Sequence, residues 1–482
     1  MLTRPIWNPT EHGLVVLVPV AALATLGILS IHATETTAGG LGPRTTKQLV
    51  YLAGSLVVMV ATLTVSYQQI GRWAYGMFAG MLLLLALLIL DKWVNLPLIP
   101  VRRGARRWIE FGPVQIQPSE LMKVAFILTL ARYLQFRKNY RRLAGLIGPF
   151  LLTLIPMFLI LPEPDLGTVL LLLPVLFVML FAAGARMLHF SGILLLALCA
   201  LPLVWNRMHA YQRSRVSAVL MQSQTVRDRV RGLRVRIEDR PDVRRALGRG
   251  SVPAVLRAAL RDQGIPLSSA AEIETAYPGV RWIVRDGERQ LTIRREHGHL
   301  NVYAAPGRPW KWLGTPEQAR NWQRRHGYQL LHAKAALGSG GLLGWNEKVD
   351  SVVLRDRFLP DRQNDFIFAV IGHQWGLLGA LLVLGCYALI AIGGVEIAAL
   401  TNDPFGRLLA VGVVTLISAQ ALINIGMTLG LMPITGMTLP FVSYGGSSLL
   451  VNFIAVGLLI NIAQRRPVVI GHRPFSFPDE EE

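Results

Sequence analysis

The feature that most constrains this chain is a set of apolar runs with no polar face. Residues 81–90 read Met-Leu-Leu-Leu-Leu-Ala-Leu-Leu-Ile-Leu, and residues 169–178 read Val-Leu-Leu-Leu-Leu-Pro-Val-Leu-Phe-Val. A helix that is apolar on every side belongs in lipid or in the middle of a very large core. About 20 such residues cross a bilayer, and the apolar runs mark ten segments: 14–32, 47–66, 74–91, 118–135, 144–162, 166–184, 187–206, 366–392, 406–430 and 445–463. Charged residues are only 16% of the 482, against about 25% in soluble domains. The expectation is an all-α polytopic membrane protein with ten transmembrane helices, the first of them a retained span rather than a cleaved signal.

Orientation follows from the basic loops. With the amino terminus inside, Arg72, the cluster Arg132–Arg142, Arg186, Arg407 and Arg465-Arg466 all fall on the inner side, as the positive-inside rule requires. Ten spans then leave both termini cytoplasmic. The net charge of +20 is therefore read as membrane-loop charge, and no nucleic-acid partner is expected. Two outer segments break the rule: 101–107, which holds four arginines, and the whole of 207–365. Excess cations there point to an anionic partner on the outer face. Cys199 and Cys386 each lie inside apolar runs and imply neither a disulfide nor a zinc site.

The domain reading places helices 1–7 in residues 1–216 and a small α+β extracytoplasmic insert in 217–325. A catalytic loop with helices 8–10 fills 326–470, and 471–482 form a cytoplasmic tail. Within the insert, Thr225–Ala259 is Arg-rich and mostly helix-forming. The stretches 281–285, 290–294 and 300–303 alternate like strands, with Asp286-Gly287 and His297-Gly298 as turns.

Polar constellations gather at span ends on the outer side. Gln117-Pro-Ser-Glu-Leu-Met-Lys123 opens the fourth span, with Glu120 and Lys123 three apart on one face. Asp165 stands where a carboxylate caps the sixth span. Gln212, Arg213 and Arg215 leave the seventh, placed to grip phosphate or sugar hydroxyls. Asp365 immediately precedes what reads as an uninterrupted apolar span, a boundary that suits a base or a cation ligand. Residues 436–448 enter the last span as a Pro/Gly-broken polar stretch, which survives at membrane depth only beside a cavity or buried in protein. Asp91 and Glu396 read as the acids near inner span ends. Helix capping, local ion pairing and snorkelling are the alternatives to a binding role for each of these charged groups.

Arg106–Ile109 (Arg-Arg-Trp-Ile), Gln117–Lys123, Pro164–Thr168, Leu337–Gly341, Leu359-Pro360 with Asp365–Val370, and Leu439–Ser448 together resemble the SEDS family (shape, elongation, division and sporulation), its rod-shape branch more than its division branch. The match covers the chain in order, apart from the insert. The resemblance implies a peptidoglycan glycosyltransferase that polymerises lipid II at the outer face of the bacterial cytoplasmic (inner) membrane, during elongation and shape maintenance. It implies a class B penicillin-binding protein transpeptidase as partner. It puts the catalytic aspartate on Asp365, and functional weight on Trp108, Glu120, Lys123, Asp165 and Gln212. Arg106, Arg107, Arg213 and Ser443 join these as candidate substrate contacts, and Asp365 is the candidate ligand for a divalent cation, Mg or Mn. The chain departs from the family pattern at Gln363-Asn364, where His-Thr is common, and at His373-Gln374, where a Glu-Glu pair is common. A lipid-linked-sugar flippase and a catalytically silent assembly scaffold are the competing functions.

Overall fold

The computed structural model describes residues 9–35, 40–94, 99–101, 106–111, 114–136, 143–163, 165–208, 210–263, 265–287, 289–296, 298–304, 313–324, 327–345 and 358–465. The expected tail 471–482 lies outside these, as do Arg102, Arg103, His297 and Arg466. The chain divides into two compact units, one of Met1–Pro202 with His332–Glu482 and one of Leu203–Leu331.

The first unit opens with α1 (Pro9–Ala33), α2 (Pro43–Thr64), the short α3 (Tyr67–Arg72) and α4 (Ala74–Val94). A hairpin, β1 (Ile109–Phe111) and β2 (Val114–Ile116), precedes α5 (Pro118–Gln135), α6 (Ile147–Ile160), α7 (Leu166–Ala182) and α8 (Met187–Arg207). After the second unit come α14 (Tyr328–Ser339), α15 (Ile367–Ala399), α16 (Pro404–Leu429) and α17 (Gly446–Gln464). Each of the ten apolar segments thus carries a helix. Among the described residues, six of these helices are long and apolar enough to cross a membrane, and α6 and α7 are shorter apolar helices.

Solvation in this unit is inverted relative to a soluble fold. Val18, Leu83, Phe158 and Leu422 face outward while Lys123, Gln420, Asn424, Asn452 and Asn461 are buried. An exterior of large aliphatic side chains is stable only against an apolar medium. Inside, α17 packs along α2, and α16 lies among α5, α7 and α15.

Three local features differ from the sequence reading. The span after Asp365 is not uninterrupted: α15 breaks at Gly376 (φ 63°, ψ −157°). Segment 340–345 takes over the hydrogen bonds that the break frees. Trp345 N donates to His373 O at 3.0 Å, while Leu377 N and Leu378 N donate to Gly341 O and Leu342 O at 2.9 and 3.2 Å. A helix can open at this depth only where neighbouring backbone satisfies the freed groups. The glycines permit the approach, since a Cβ on Gly340 would sit 1.8 Å from Gly372 O. Second, the β1–β2 hairpin was not anticipated. Third, Asp91, read as an acid near an inner span end, is fully buried and ion-paired at 2.6 Å with Arg106, so it lies at the same end of the bundle as a residue that was read as outer.

The second unit runs through α9 (Ala210–Leu220), α10 (Gln224–Val230), β3 (Leu233–Glu238), α11 (Pro241–Gly248), α12 (Ala254–Asp262), β4 (Glu272–Tyr277), β5 (Arg281–Asp286), β6 (Arg289–Glu296), β7 (His299–Tyr303) and α13 (Pro316–Arg320). Its five strands form one antiparallel sheet in the order β3-β7-β6-β5-β4. Gly287 takes the positive φ (57°) that the β5–β6 turn needs. The Arg-rich stretch expected to be mostly helical contains β3. There Val235 and Ile237 are buried and alternate with Arg234, Arg236 and Glu238, and the strand is fixed by pairing with β7, about 65 residues on. One face of the sheet (Trp282, Val284, Leu291, Ile293, Leu300, Val302) packs on Val243 and Leu247 of α11 and Leu256 and Leu260 of α12.

Candidate functional site

The site is built around the turn that carries Asp365. Asp361 adopts φ 56°, so its main-chain oxygen accepts from both Asn364 N and Asp365 N, at 3.1 and 3.0 Å. Non-glycine residues rarely adopt this left-handed conformation unless their surroundings hold them there. Here the surroundings come from four other segments. Asn424 of α16 donates to Asp365 O at 2.9 Å. Ser443 Oγ donates to Asn364 O at 2.5 Å and accepts from Leu439 N at 2.7 Å. Tyr444 N donates to Gln363 O at 2.9 Å. The Gln363 amide donates to Thr34 Oγ1 and accepts from Arg44 Nη1 at 2.9 Å, and Arg362 donates to Thr34 O at 3.1 Å.

Arg44 is itself held at the start of α2. Its main-chain N–H donates to Glu35 at 2.8 Å, as do the N–H and hydroxyl of Thr45 at 3.0 and 2.5 Å. Burial acts to raise the Glu35 carboxyl, but the bonds from Thr45 and Arg44 outweigh it and hold the group below its ordinary value. The result is an open pocket of about 400 Å³ lined by Arg44, Pro360, Asp361, Arg362, Gln363, Asn364 and Tyr444, with half-buried Asp365 next in sequence. Arg44, Thr34 and Asn424 were missed by sequence reasoning, while Tyr444 fell within the 436–448 stretch without being singled out. Arg44 and Lys47 are a third group of cations on the predicted outer side, and that breach of the charge rule was the available signal.

The other predicted residues resolve into distinct local roles. Glu120 and Lys123 form an ion pair at 2.7 Å. Buried Lys123 also donates to Gln420 at 3.3 Å, Gln420 donates to Thr438 O at 2.9 Å, and Thr438 pairs with Ser448 at 2.7 Å. A polar chain therefore crosses from α5 through α16 and the 430–445 loop to α17. Asp165 caps α7 by accepting from Thr168 N at 3.2 Å. It also takes hydrogen bonds from Thr168 Oγ1, Ser119 and Gln117 at 2.9, 2.9 and 3.1 Å, so its carboxylate serves four donors of the chain itself. Arg106 is committed to Asp91. Arg107 and Trp108 are half-buried just before β1. Gln212, buried, and Arg213 lie on α9 of the second unit.

The departures from the family pattern also have local partners. Gln363 is part of the clamp on the turn. His373 meets Ser339 at 2.6 Å and stacks on Trp345 with ring centroids 6.2 Å apart, beside the break in α15. Among the described residues no group of three or more His, Cys, Asp or Glu side chains gathers to hold a metal ion. A magnesium ion held by one or two carboxylates and by substrate phosphates needs no such cage, and Asp365 fits that mode.

A family model described as cell cycle protein, for FtsW, RodA and SpoVE, matches residues 13–231 and 308–467. The unmatched residues 232–307 are those that hold the five-stranded sheet. The chain is 29% identical over 462 residues to the peptidoglycan glycosyltransferase RodA of Treponema pallidum, covering 95% of this chain and 98% of that protein. It is 28% identical to the stage V sporulation protein E of Bacillus subtilis, covering 87% of this chain and 86% of that protein. Among solved structures, a chain from a study of polymerization and crosslinking by a peptidoglycan synthase complex superposes with a TM-score of 0.63 at 24% identity, covering 94% of this chain and 98% of that one. The Thermus thermophilus rod shape determining protein RodA superposes with a TM-score of 0.54 at 23% identity, covering 94% and 96%. At these identities the structural likeness is one of fold.

Proposed function

The chain belongs to the FtsW/RodA/SpoVE family of cell cycle proteins, and from that premise we propose that it is a peptidoglycan glycosyltransferase with Asp365 as its base. It polymerises lipid II into glycan strands at the outer face of the cytoplasmic membrane. The observation that carries this reading is the clamped turn: residues 361–365 are held from α16, the 430–445 loop, α2 and the end of α1, beside a pocket lined by two arginines. Such over-determination positions one carboxylate to within the tolerance that general-base chemistry requires.

In the reaction, the Asp365 carboxylate takes the proton of an acceptor sugar hydroxyl as that oxygen attacks C1 of the donor sugar. The bond from C1 to the diphosphate breaks, and the diphosphate leaves with the electron pair. Arg44 and Arg362 line the pocket and offset the charge that builds on the leaving group. In the sequence reading Arg106, Arg107 and Lys123 are among the cations counted as candidate substrate contacts. Arg106 and Lys123 already face Asp91 and Glu120, and act by shaping the outer end of the bundle. A divalent cation, Mg or Mn, held by Asp365 and the substrate diphosphate would supply further charge neutralisation there.

The same reading carries the topology: ten spans, both termini cytoplasmic, and the second unit outside. It carries the elongation role and a class B penicillin-binding protein transpeptidase as partner. The test is an assay of the purified full-length protein with labelled lipid II and Mg²⁺, read on a gel. Glycan chains from the wild type, none from Asp365→Ala, and matching circular dichroism are expected. Chains of normal length from Asp365→Ala would refute the assignment. Movement of lipid II across liposomes without chains would make the protein a carrier, and neither activity would leave a scaffold.

A further inference from the structure

The second unit carries a cationic pocket that the reaction does not use. The sheet's helix-covered face is apolar; its other face bears Arg281 on β5, Gln290, Thr292 and Arg294 on β6, and Tyr303 on β7. With Arg231 and with Arg320 of α13 these line a pocket of about 320 Å³. Arg281 and Arg294 are direct cross-strand partners in register, an arrangement of like charges that destabilises a sheet. Arg231 is balanced by Glu296 at 2.7 Å, which also accepts from Tyr303 at 2.8 Å. Arg281, Arg294 and Arg320 have no carboxylate within ion-pair reach among the described residues, and Arg281 Nε is buried without a hydrogen-bond partner. Burial, then the charges of Arg320 and Arg281, push the Arg294 guanidinium below its ordinary value.

We propose that this pocket is a binding site for a phosphate-bearing ligand, held by Arg281, Arg294 and Arg320 with Thr292 and Gln290 completing the contacts. Three guanidiniums converge with no carboxylate at ion-pair distance among the described residues, and Glu296, already paired with Arg231, is the one carboxylate that acts on Arg294, so positive charge is left in excess for a ligand to meet. A phosphate or diphosphate group brings about two or more negative charges, where a single carboxylate brings one. The guanidinium fork also matches phosphate oxygens in bidentate geometry. Arg281, Gln290, Thr292 and Arg294 lie in the stretch 232–307 that the family model does not match, while Arg320 lies in the matched part, so the sheet side of the site would be a property of this chain rather than of the shared reaction. Phosphate of this kind has two sources, a soluble diphosphate or polymer and a phospholipid headgroup.

Site-resolved arginine labelling tests it on the full-length protein in nanodiscs. Phenylglyoxal modification of Arg281 and Arg294, read by peptide mass spectrometry, is expected to slow by about tenfold with inorganic pyrophosphate in phosphatidylcholine discs. If the ligand is a lipid headgroup, phosphatidylglycerol discs give the same protection without added pyrophosphate. Equal modification rates in all arms, or protection matched by chloride at equal ionic strength, would overturn the proposal. Arg294→Gln separates binding from structure. Because it removes a like-charge pair, the thermal midpoint should stay level or rise while protection of Arg281 is lost. A lowered midpoint with protection of Arg281 intact would mean that Arg294 is structural.

Discussion

The side-chain amide of Asn424 donates to the main-chain oxygen of Asp365 at 2.9 Å and to that of Met437 at 2.6 Å. One fully buried asparagine of α16 therefore fastens the 358–366 turn and the 430–445 loop to the same helix. Asn424 touches no reacting atom in the proposed reaction; it positions the residue that does.

Asn424→Leu keeps the volume and removes both donors. Each orphaned carbonyl costs about 1–3 kcal/mol, so thermal stability should fall. The larger effect is expected on turnover, because a displacement of about 1 Å at a catalytic group can lower the rate by about a hundredfold. Steady-state kinetics on lipid II should show kcat reduced with KM little changed. Loss confined to KM would place Asn424 in substrate binding instead.

Gly376 offers a test of the broken helix. Its φ of 63° already excludes most side chains, and an added Cβ would lie 2.4 Å from Gly344 N and 2.5 Å from Leu342 O. Gly376→Ala should destabilise the protein by at least the about 1–3 kcal/mol of a strained backbone residue. Hydrogen exchange across 340–345 should rise with it. Unchanged protection in that segment would mean that the break in α15 is not held by these contacts.

The Glu120–Lys123 pair predicts a strong non-additivity. Glu120→Gln leaves the Lys123 cation, 2% exposed, without its counter-charge, a loss of about 3–5 kcal/mol for breaking one side of a buried pair. Lys123→Met in the same background should recover much of it, since replacing both partners by apolar groups is often neutral. Denaturation midpoints of the two single variants and the double variant measure this directly. Additive losses would argue against the pairing.

In the second unit, burial acts to raise the Glu296 carboxyl, but hydrogen bonds from Arg231 and Tyr303 outweigh it and hold the group below its ordinary value. A depressed folded value means that the contribution is complete above the unfolded glutamate value, about 4.3, and fades as pH falls through the lower folded one. Protection of β6 and β7 from hydrogen exchange, referenced to intrinsic rates, should hold down to that range and then decline. Arg231→Gln should move the decline to higher pH. An unshifted profile would show that Arg231 does not set it.

Much of the scaffold was legible because it is locally encoded. A long apolar run specifies a helix without reference to any other part of the chain, which is why all ten segments carry one. Pro118 at the first turn of α5 and Asp165 at the cap of α7 were readable for the same reason, since a cap and its helix are neighbours in sequence. The alternation in β5, β6 and β7 was equally visible. β3 was not, because its arginines mimic a helix former and its partner strand is remote.

The sequence by itself determined the membrane class, the helix positions and the set of charged residues at span ends. Only the tertiary structure decided what each polar group faces: Asp91 with Arg106, Asp165 with Ser119 and Gln117, Gln363 with Thr34 and Arg44. It also decided that Gly376 breaks a span that reads as continuous. The physical reason is that apolar burial depends on composition within one segment. Hydrogen bonds and ion pairs depend on direction and on angstrom distances between side chains drawn together from remote segments.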